Sequence, residues 1–213
     1  MSSSRPYMQY GCGSSCPKID GWVNFDASPT LYLQRIPGIG FLFRRLLKPV
    51  FARHIVHGDI LKSMPGYPGG YAGIYCSHVL EHLSLKDARL ALKNTYDLLA
   101  PGGYFRLVMP DLELLVGEYH ASEAAGAAIT LMQQTGLGVT RRDRSVPRFL
   151  RSYLGNSTHL WLWDFKAIKH ELEQTGFSLV RRAYYGDSAD PRFEEVEDAP
   201  RWLNCLGVEC QRL

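Results

Sequence analysis

The stretch LLAPGGYFRLVMPD, residues 98–111, decides the fold that this sequence predicts. It reads as the end of a helix, because Pro101 cannot continue one, and Gly102 and Gly103 then supply open backbone angles for a sharp turn. Residues 104–109, which are apolar or aromatic except for Arg106, then have the character of a buried strand. A helix that turns directly into a buried strand is typical of a sheet whose strands alternate with helices.

Strand and helix patterns alternate on both sides of this stretch. Helical patterns cover residues 83–100, with Ser84 as a candidate N-cap, and residues 159–177, which Gly176 ends. Residues 6–15 read as a short strand that runs into a glycine-rich turn. Further strand patterns occur at residues 22–26, 54–60, 71–80, 104–109, 177–185 and 205–213. This alternation predicts an α/β fold built on a seven-stranded, mostly parallel sheet with helices on both faces.

Residues at the carboxyl ends of the predicted strands are the first candidates for a site, because open parallel sheets bind ligands at that edge. These residues are Gly11-Cys12-Gly13, Asp26, Asp59, Ser77-His78 and Pro110-Asp111. A carboxylate at the tip of the second strand can accept two hydrogen bonds from a ribose diol, and one at the tip of the third can accept from an exocyclic amine. The pattern indicates a nucleoside site.

The first turn argues against a dinucleotide. The G-x-G-x-x-G fingerprint needs a third glycine where this chain has Cys16, and the segment from Tyr10 to Trp22 is short for the helix of a parallel crossover. A pyrophosphate on a helix N-terminus is therefore disfavoured. A nucleoside ligand without a phosphate fits the pattern better.

Composition favours one ordinary globular domain. The chain has 213 residues, of which 46% are hydrophobic and 21% charged, with a net charge of +3 that does not by itself imply a nucleic-acid partner. Five scattered cysteines without a CxxC pair predict reduced thiols. The absence of an apolar leader or a long apolar run predicts a soluble, cytoplasmic protein without a transmembrane segment.

A charged residue in a predicted strand and an amphipathic segment each need a separate explanation. Arg106 lies inside a predicted buried strand, and its partner stays open, with an acid in the crevice as one candidate. The amphipathic stretch 39–48 is expected to pack Phe41, Leu42 and Leu46 against the sheet and to turn its charges outward.

The ordered set of these motifs resembles the class I S-adenosylmethionine-dependent methyltransferases, which have a Rossmann-like fold. It is most similar to a small bacterial predicted-methyltransferase group of the methyltransferase type 11 kind. The segment APGG followed by an apolar strand and MPD is the most specific match, and GCG is the least specific. The matching pieces, which cover most of the chain, are YGCGSSCPKIDGWVNFD, HGDI, YCSHVLEHL, LLAPGGYFRLVMPDLELL, HLWLWD and LEQTGF.

The resemblance implies S-adenosylmethionine as the cofactor and assigns its contacts. Gly11, Cys12 and Gly13 would line the methionine side, and Asp26 would hold the ribose. Asp59 and Ile60 would flank the adenine, and Ser77 would close the pocket with His78 beside it. Gln9 departs from the pattern, because the family often has an acidic residue two positions before the first glycine.

From the resemblance and the strand-end residues we predict methyl transfer, expected at oxygen, to a small molecule or saccharide, anionic ones included. Residues 1–213 would form a single domain with an insertion or lid at about residues 117–158. Removal of a hydroxyl proton needs a base, and the candidates are His78, His82, His159 and Asp164, of which we select His159 and His82. Five arginines could clamp an anionic acceptor or form a solvated loop, and they are Arg141, Arg142, Arg144, Arg148 and Arg151.

Three alternatives stay open. The chain could be a catalytically silent, methyltransferase-like scaffold subunit, which the substitution at Gln9 favours. It could be a nicotinamide oxidoreductase, which the missing third glycine disfavours. It could also be a metal-assisted RNA 2′-O-methyltransferase in which His78, Glu81, His82 and His159 surround a divalent cation. Small-RNA 2′-O-methyltransferases are similar there, with E-x-x-E-H where this chain has H-x-x-E-H; we nevertheless predict no metal and no nucleic-acid partner.

Overall fold

The structure is a computed structural model that describes residues 5–62, 64, 68–140 and 158–213. Its seven strands form one sheet in the order β3-β2-β1-β4-β5-β7-β6, in which only β7 runs antiparallel to its neighbours. The prediction of a seven-stranded, mostly parallel α/β sheet is confirmed. The strands are β1 (Tyr7–Tyr10), β2 (Trp22–Asp26), β3 (Val56–His57), β4 (Tyr71–Ser77), β5 (Leu99–Pro110), β6 (Ser178–Ala183) and β7 (Cys205–Gln211).

Two long helices cover one face of this sheet. Helix α3 (Leu85–Leu98) begins at the predicted N-cap, where the Ser84 side chain accepts a hydrogen bond from the Asp87 N–H, and α6 (Phe165–Thr175) ends at Gly176. Their apolar sides, including Leu92 and Ile168, belong to the main core. The other α-helices of the described residues are α1 (Pro29–Gln34), α2 (Gly40–Leu46), α4 (Leu112–Ala121) and α5 (Ala127–Gln134).

Residues 184–204, from the far end of the chain, cover the opposite face. This segment contains two 3-10 helices, and its Phe193 and Trp202 pack against Trp22 and Tyr75 of the sheet. Residues 11–21 form no helix. The short first crossover is therefore compatible with a covered sheet, because a segment remote in sequence covers the face beside β1 and β2.

In the stretch 98–111, the helix ends and the strand begins earlier than predicted. Helix α3 ends at Leu98 rather than Ala100, because Leu99 is already extended and pairs with Tyr71 of β4. The next paired residue is Tyr104, so the Pro-Gly-Gly segment is an irregularity within β5. Gly102 adopts φ +80°, a left-handed angle that suits glycine.

The amphipathic stretch also differs from its expectation. Phe41, Leu42 and Leu46 are 60%, 46% and 76% exposed, so the predicted packing against the sheet is wrong. Helix α2 packs against α1, and only Gly40 of α2 is buried. None of the helices in the described residues is both long and apolar enough to cross a membrane.

Arg106 has its partners on the face of the sheet rather than in the crevice. Its fully buried guanidinium forms ion pairs with Glu197, Glu209 and Asp187 and lies 4.6 Å from the centre of a Trp202 ring. Three of these four partners, Glu197, Asp187 and Trp202, belong to the segment 184–204. The charge in the middle of β5 thus holds the remote segment on the sheet.

Candidate functional site

The glycine turn after β1 brings two strand ends together. Gly11 and Gly13 have φ angles of +68° and +75°. A Cβ on Gly11 would lie 2.1 Å from Cγ2 of Val79, whereas a Cβ on Gly13 would have no atom within 4 Å. Gly11 therefore allows close contact with the segment after β4, and Gly13 leaves open space for a ligand.

This difference predicts unequal effects for two matched substitutions. We expect Gly13→Ala to lower the free energy of unfolding by about 1–2 kcal/mol, because alanine is strained at a left-handed angle. Gly11→Ala has the same strain and an overlap with Val79, which adds about 1–3 kcal/mol. Urea unfolding of both variants measures the difference. Equal stabilities would contradict the tight contact between Gly11 and Val79.

Asp26 at the end of β2 is tied to the glycine turn. Its Oδ2 accepts the Gly13 N–H at 3.0 Å, and its Oδ1 accepts the Ser28 N–H at 2.8 Å. The Cys12 N–H donates to the Phe25 carbonyl at 3.2 Å. Each carboxylate oxygen can accept a further bond. The carboxylate is thus held in place by backbone donors and can still accept from a diol.

Asp59 and Ile60 follow β3 in neighbouring positions with different environments. The Gly58 N–H donates to the Asp26 carbonyl at 3.1 Å, which places Asp59 next to the end of β2. Asp59 accepts the Leu61 N–H at 3.0 Å, and Ile60 is buried in the main core. Asp59 is therefore the polar group of this strand end, and Ile60 contributes an apolar side chain behind it.

Ser77 and His78 at the end of β4 are bonded to an arginine that the sequence did not indicate. Arg201 donates from Nε to Ser77 Oγ and from Nη2 to the Ser77 carbonyl, both at 2.8 Å. The His78 ring contacts the Arg201 carbonyl through Nε2 and Glu81 through Nδ1, both at 3.0 Å. No local motif marks Arg201, because its contact with Ser77 spans 124 residues.

His78 is held as an imidazolium. Both of its ring nitrogens face oxygen atoms that accept, so both carry a proton. Burial lowers its pKa, but hydrogen bonding to Cys205, the Glu81 carboxylate and the Arg201 carbonyl outweighs burial and raises the pKa to about 10. A protonated ring cannot remove a proton from a substrate, so His78 is not a candidate base.

Two pockets open beside these strand ends. One of about 340 Å³ is lined by Gln9, Cys12, Tyr75 and Arg201 among others, and the Tyr75 hydroxyl there has no hydrogen-bond partner in the described residues. A second of about 290 Å³ lies beyond β5, between α4, α5 and Cys205. A larger surface cavity of about 660 Å³ lies between α3 and α6, remote from the strand ends, and contains none of the predicted site residues.

His82 and His159, the two predicted bases, are brought together. Their ring centres are 4.9 Å apart, and each Nδ1 contacts a backbone carbonyl, that of Thr158 for His82 and that of Thr135 for His159. A carbonyl only accepts, so each Nδ1 carries a proton, and in the neutral ring the lone pair is then on Nε2.

Two further expectations have simple outcomes. Asp164, the neighbour considered as a base, accepts the Ala167 N–H as the N-cap of α6. Asp111 likewise caps α4. The five arginines lie outside the described residues, and they are Arg141, Arg142, Arg144, Arg148 and Arg151.

Comparisons with known proteins identify a family and several structures of similar fold. A family model for a methyltransferase domain matches residues 22–182, more than half of the chain. The chain is similar to PigF, solved with SAH, at 16% identity and a TM-score of 0.50, with 98% of this chain and 56% of that chain covered. This chain thus spans little more than half of PigF. No curated protein matches.

Two other solved structures are of more similar length. One is a possible histamine N-methyltransferase from Thermotoga maritima, at 13% identity and a TM-score of 0.50, with 99% of this chain and 83% of that chain covered. The other is a Haloferax volcanii putative methyltransferase in complex with the Trm112 methyltransferase activator, at 13% identity and a TM-score of 0.50, with 98% and 82% covered. At such identities these likenesses concern the fold alone.

Proposed function

Since this chain belongs to the family of methyltransferase domains, we propose that it transfers a methyl group from S-adenosylmethionine to a hydroxyl of a small-molecule or saccharide acceptor. The observation that carries the proposal is the pairing of Asp26 with the Gly13 N–H. It joins a carboxylate that can accept from a diol to an open glycine turn at adjacent strand ends. A ligand with a ribose and no phosphate fits that pair.

The residues present can hold each part of this cofactor. Asp26 would accept from the ribose hydroxyls, and Asp59 would accept from the adenine amine. The 340 Å³ pocket beside Gln9 would take the amino-acid end. Arg201 supports this placement, since it keeps guanidinium donors beyond the two that it gives to Ser77 and a carboxylate suits them. Gln9 replaces an acid, so we assign the ammonium to an exposed acid of the same pocket, Asp198.

The acceptor step requires orientation and, for a hydroxyl, removal of a proton. The bound cofactor supplies a methyl group that the sulfonium already makes electrophilic. The chain has to align the acceptor with it, an effect that can contribute roughly 7–11 kcal/mol. His82 and His159 each present Nε2 with a free lone pair, and these atoms are our candidates for contact with the acceptor hydroxyl.

Calorimetric titration with S-adenosylmethionine, S-adenosylhomocysteine and NAD tests the proposal. We expect binding of both sulfur ligands with micromolar affinity, about −8 kcal/mol, and none of NAD. Binding of NAD alone would replace the proposal with a nicotinamide oxidoreductase. An absence of binding to all three ligands would favour a catalytically silent subunit.

A further inference from the structure

Three potential metal ligands converge between the segment after β4 and the segment before α6. Glu81, His82 and His159 each offer one ligand atom, and these atoms lie within 4.8 Å of one another. We propose that these three side chains bind a divalent transition-metal cation. The site differs from the four-residue set considered from the sequence, because both ring nitrogens of His78 are already engaged.

The two histidines have the form that a metal requires. The Nδ1 atom of His82 lies 3.1 Å from the Thr158 carbonyl, and that of His159 lies 2.7 Å from the Thr135 carbonyl. These contacts put the proton on Nδ1 and leave Nε2 as a neutral donor. A histidine that gives its other N–H to a backbone carbonyl is the usual arrangement around protein-bound metals.

One oxygen of the Glu81 carboxylate lacks a partner within the described part of the chain. Its side chain is fully buried, and Oε1 contacts His78 at 3.0 Å. Its other oxygen, Oε2, is buried without a hydrogen-bond partner in the described residues. A buried acceptor left unpaired is costly, and more so when it is charged. A cation held with the two imidazoles would give that oxygen a partner, while His78 would orient the carboxylate.

Backbone contacts keep the three ligands in register. The Glu81 carbonyl accepts the N–H groups of Leu160 and Trp161 at 2.7 and 3.1 Å, which ties the 3-10 helix Leu80–His82 to the segment that carries His159. Gly136 lies close against the His159 ring, since a Cβ there would be 2.5 Å from Nδ1. Tetrahedral ligands at about 2.1 Å from a metal are about 3.4 Å apart. Small rotations of the side chains would close the site.

The ligand set selects the class of metal. Two imidazoles and one carboxylate suit Zn²⁺, Co²⁺, Fe²⁺ or Mn²⁺, whereas Ca²⁺ and Mg²⁺ prefer oxygen ligands. Three protein ligands leave a coordination position open, as in catalytic zinc sites. That position would take the acceptor hydroxyl and lower its pKa, and the two histidines, with Nε2 on the metal, would then act as ligands rather than as bases. This role rests on the proposed methyl transfer, but the binding of the metal does not.

Titration of the full chain, treated with a chelator and then dialysed, tests the site directly. We expect one Zn²⁺ per chain by calorimetry and, with Co²⁺, a visible d–d absorption typical of nitrogen and oxygen ligands. His82→Asn and His159→Asn remove Nε2 and keep an amide N–H near the position of Nδ1. Each should weaken binding by roughly 100-fold or more, and Glu81→Gln should act likewise.

Two controls make the result decisive. His170→Gln alters an exposed histidine of α6 and should leave binding unchanged. Cys16→Ser removes the thiol near His54, a competing site whose Co²⁺ complex would show thiolate charge-transfer bands. Absence of binding, or binding that survives both asparagine variants, would overturn the proposal. Binding of S-adenosylmethionine, measured separately, tests the proposed function independently of the metal.

Discussion

Replacement of Arg106 by methionine should lower the free energy of unfolding by about 3–5 kcal/mol. Arg106 is fully buried and pairs with Glu197 and Glu209, whose side chains are 0% and 2% exposed. Its Nη2 also donates to the Tyr184 carbonyl at 2.6 Å. Methionine keeps much of the volume but leaves the buried Glu197 carboxylate without its cation, and Glu209 keeps only Arg181 as a cationic partner in the described residues. Removing one partner of a buried ion pair is costly, because the remaining charge stays buried.

Urea unfolding of the variant and a matched control measures this effect. Arg89 also forms a bidentate ion pair with a glutamate, Glu171, but the Arg89 side chain is 57% exposed. Arg89→Met should therefore leave the urea midpoint nearly unchanged. Addition of Glu197→Gln and Glu209→Gln to Arg106→Met should recover part of the loss, because the charges are then removed together. Equal effects of the Arg106 and Arg89 variants would refute the account.

The second large effect is expected at the cofactor. Asp26→Ala should weaken binding of S-adenosylmethionine by at least about 100-fold, because two charge-assisted hydrogen bonds are lost and each contributes about 1.5–3 kcal/mol. Calorimetric titration with S-adenosylhomocysteine avoids turnover and should show the same loss. Unchanged affinity would remove Asp26 from the site.

Asp26 also accepts two backbone N–H groups, so loss of binding has to be separated from loss of structure. Asp26→Asn keeps one side-chain oxygen as an acceptor and should retain more of the folding stability than the alanine variant while it still binds weakly. Asp20→Ala alters an exposed carboxylate near the same crossover and should leave affinity and stability unchanged. A variant that binds weakly and unfolds normally places the effect at the ligand.

The order and type of the elements could be read from local patterns. The Ser84 N-cap and the Gly176 stop of α6 were confirmed, because each depends on a few neighbouring residues. The end of α3 was misplaced by two residues, since pairing of Leu99 with Tyr71 outweighs the local preference. The exposed apolar side of α2 was also missed, because periodicity does not show which surface a helix packs against.

The sequence by itself determined the alternation of strands and helices, and with it the edge of the sheet where Asp26, Asp59 and the glycine turn had to meet, because residues at the carboxyl ends of parallel strands share one edge. Only the tertiary structure decided the partners of Arg106, the contact of Arg201 with Ser77, and the meeting of His159 with Glu81 and His82. These contacts join residues about 78 to 124 positions apart in the sequence, and no local pattern encodes them. They depend instead on how the covering segments dock on the sheet.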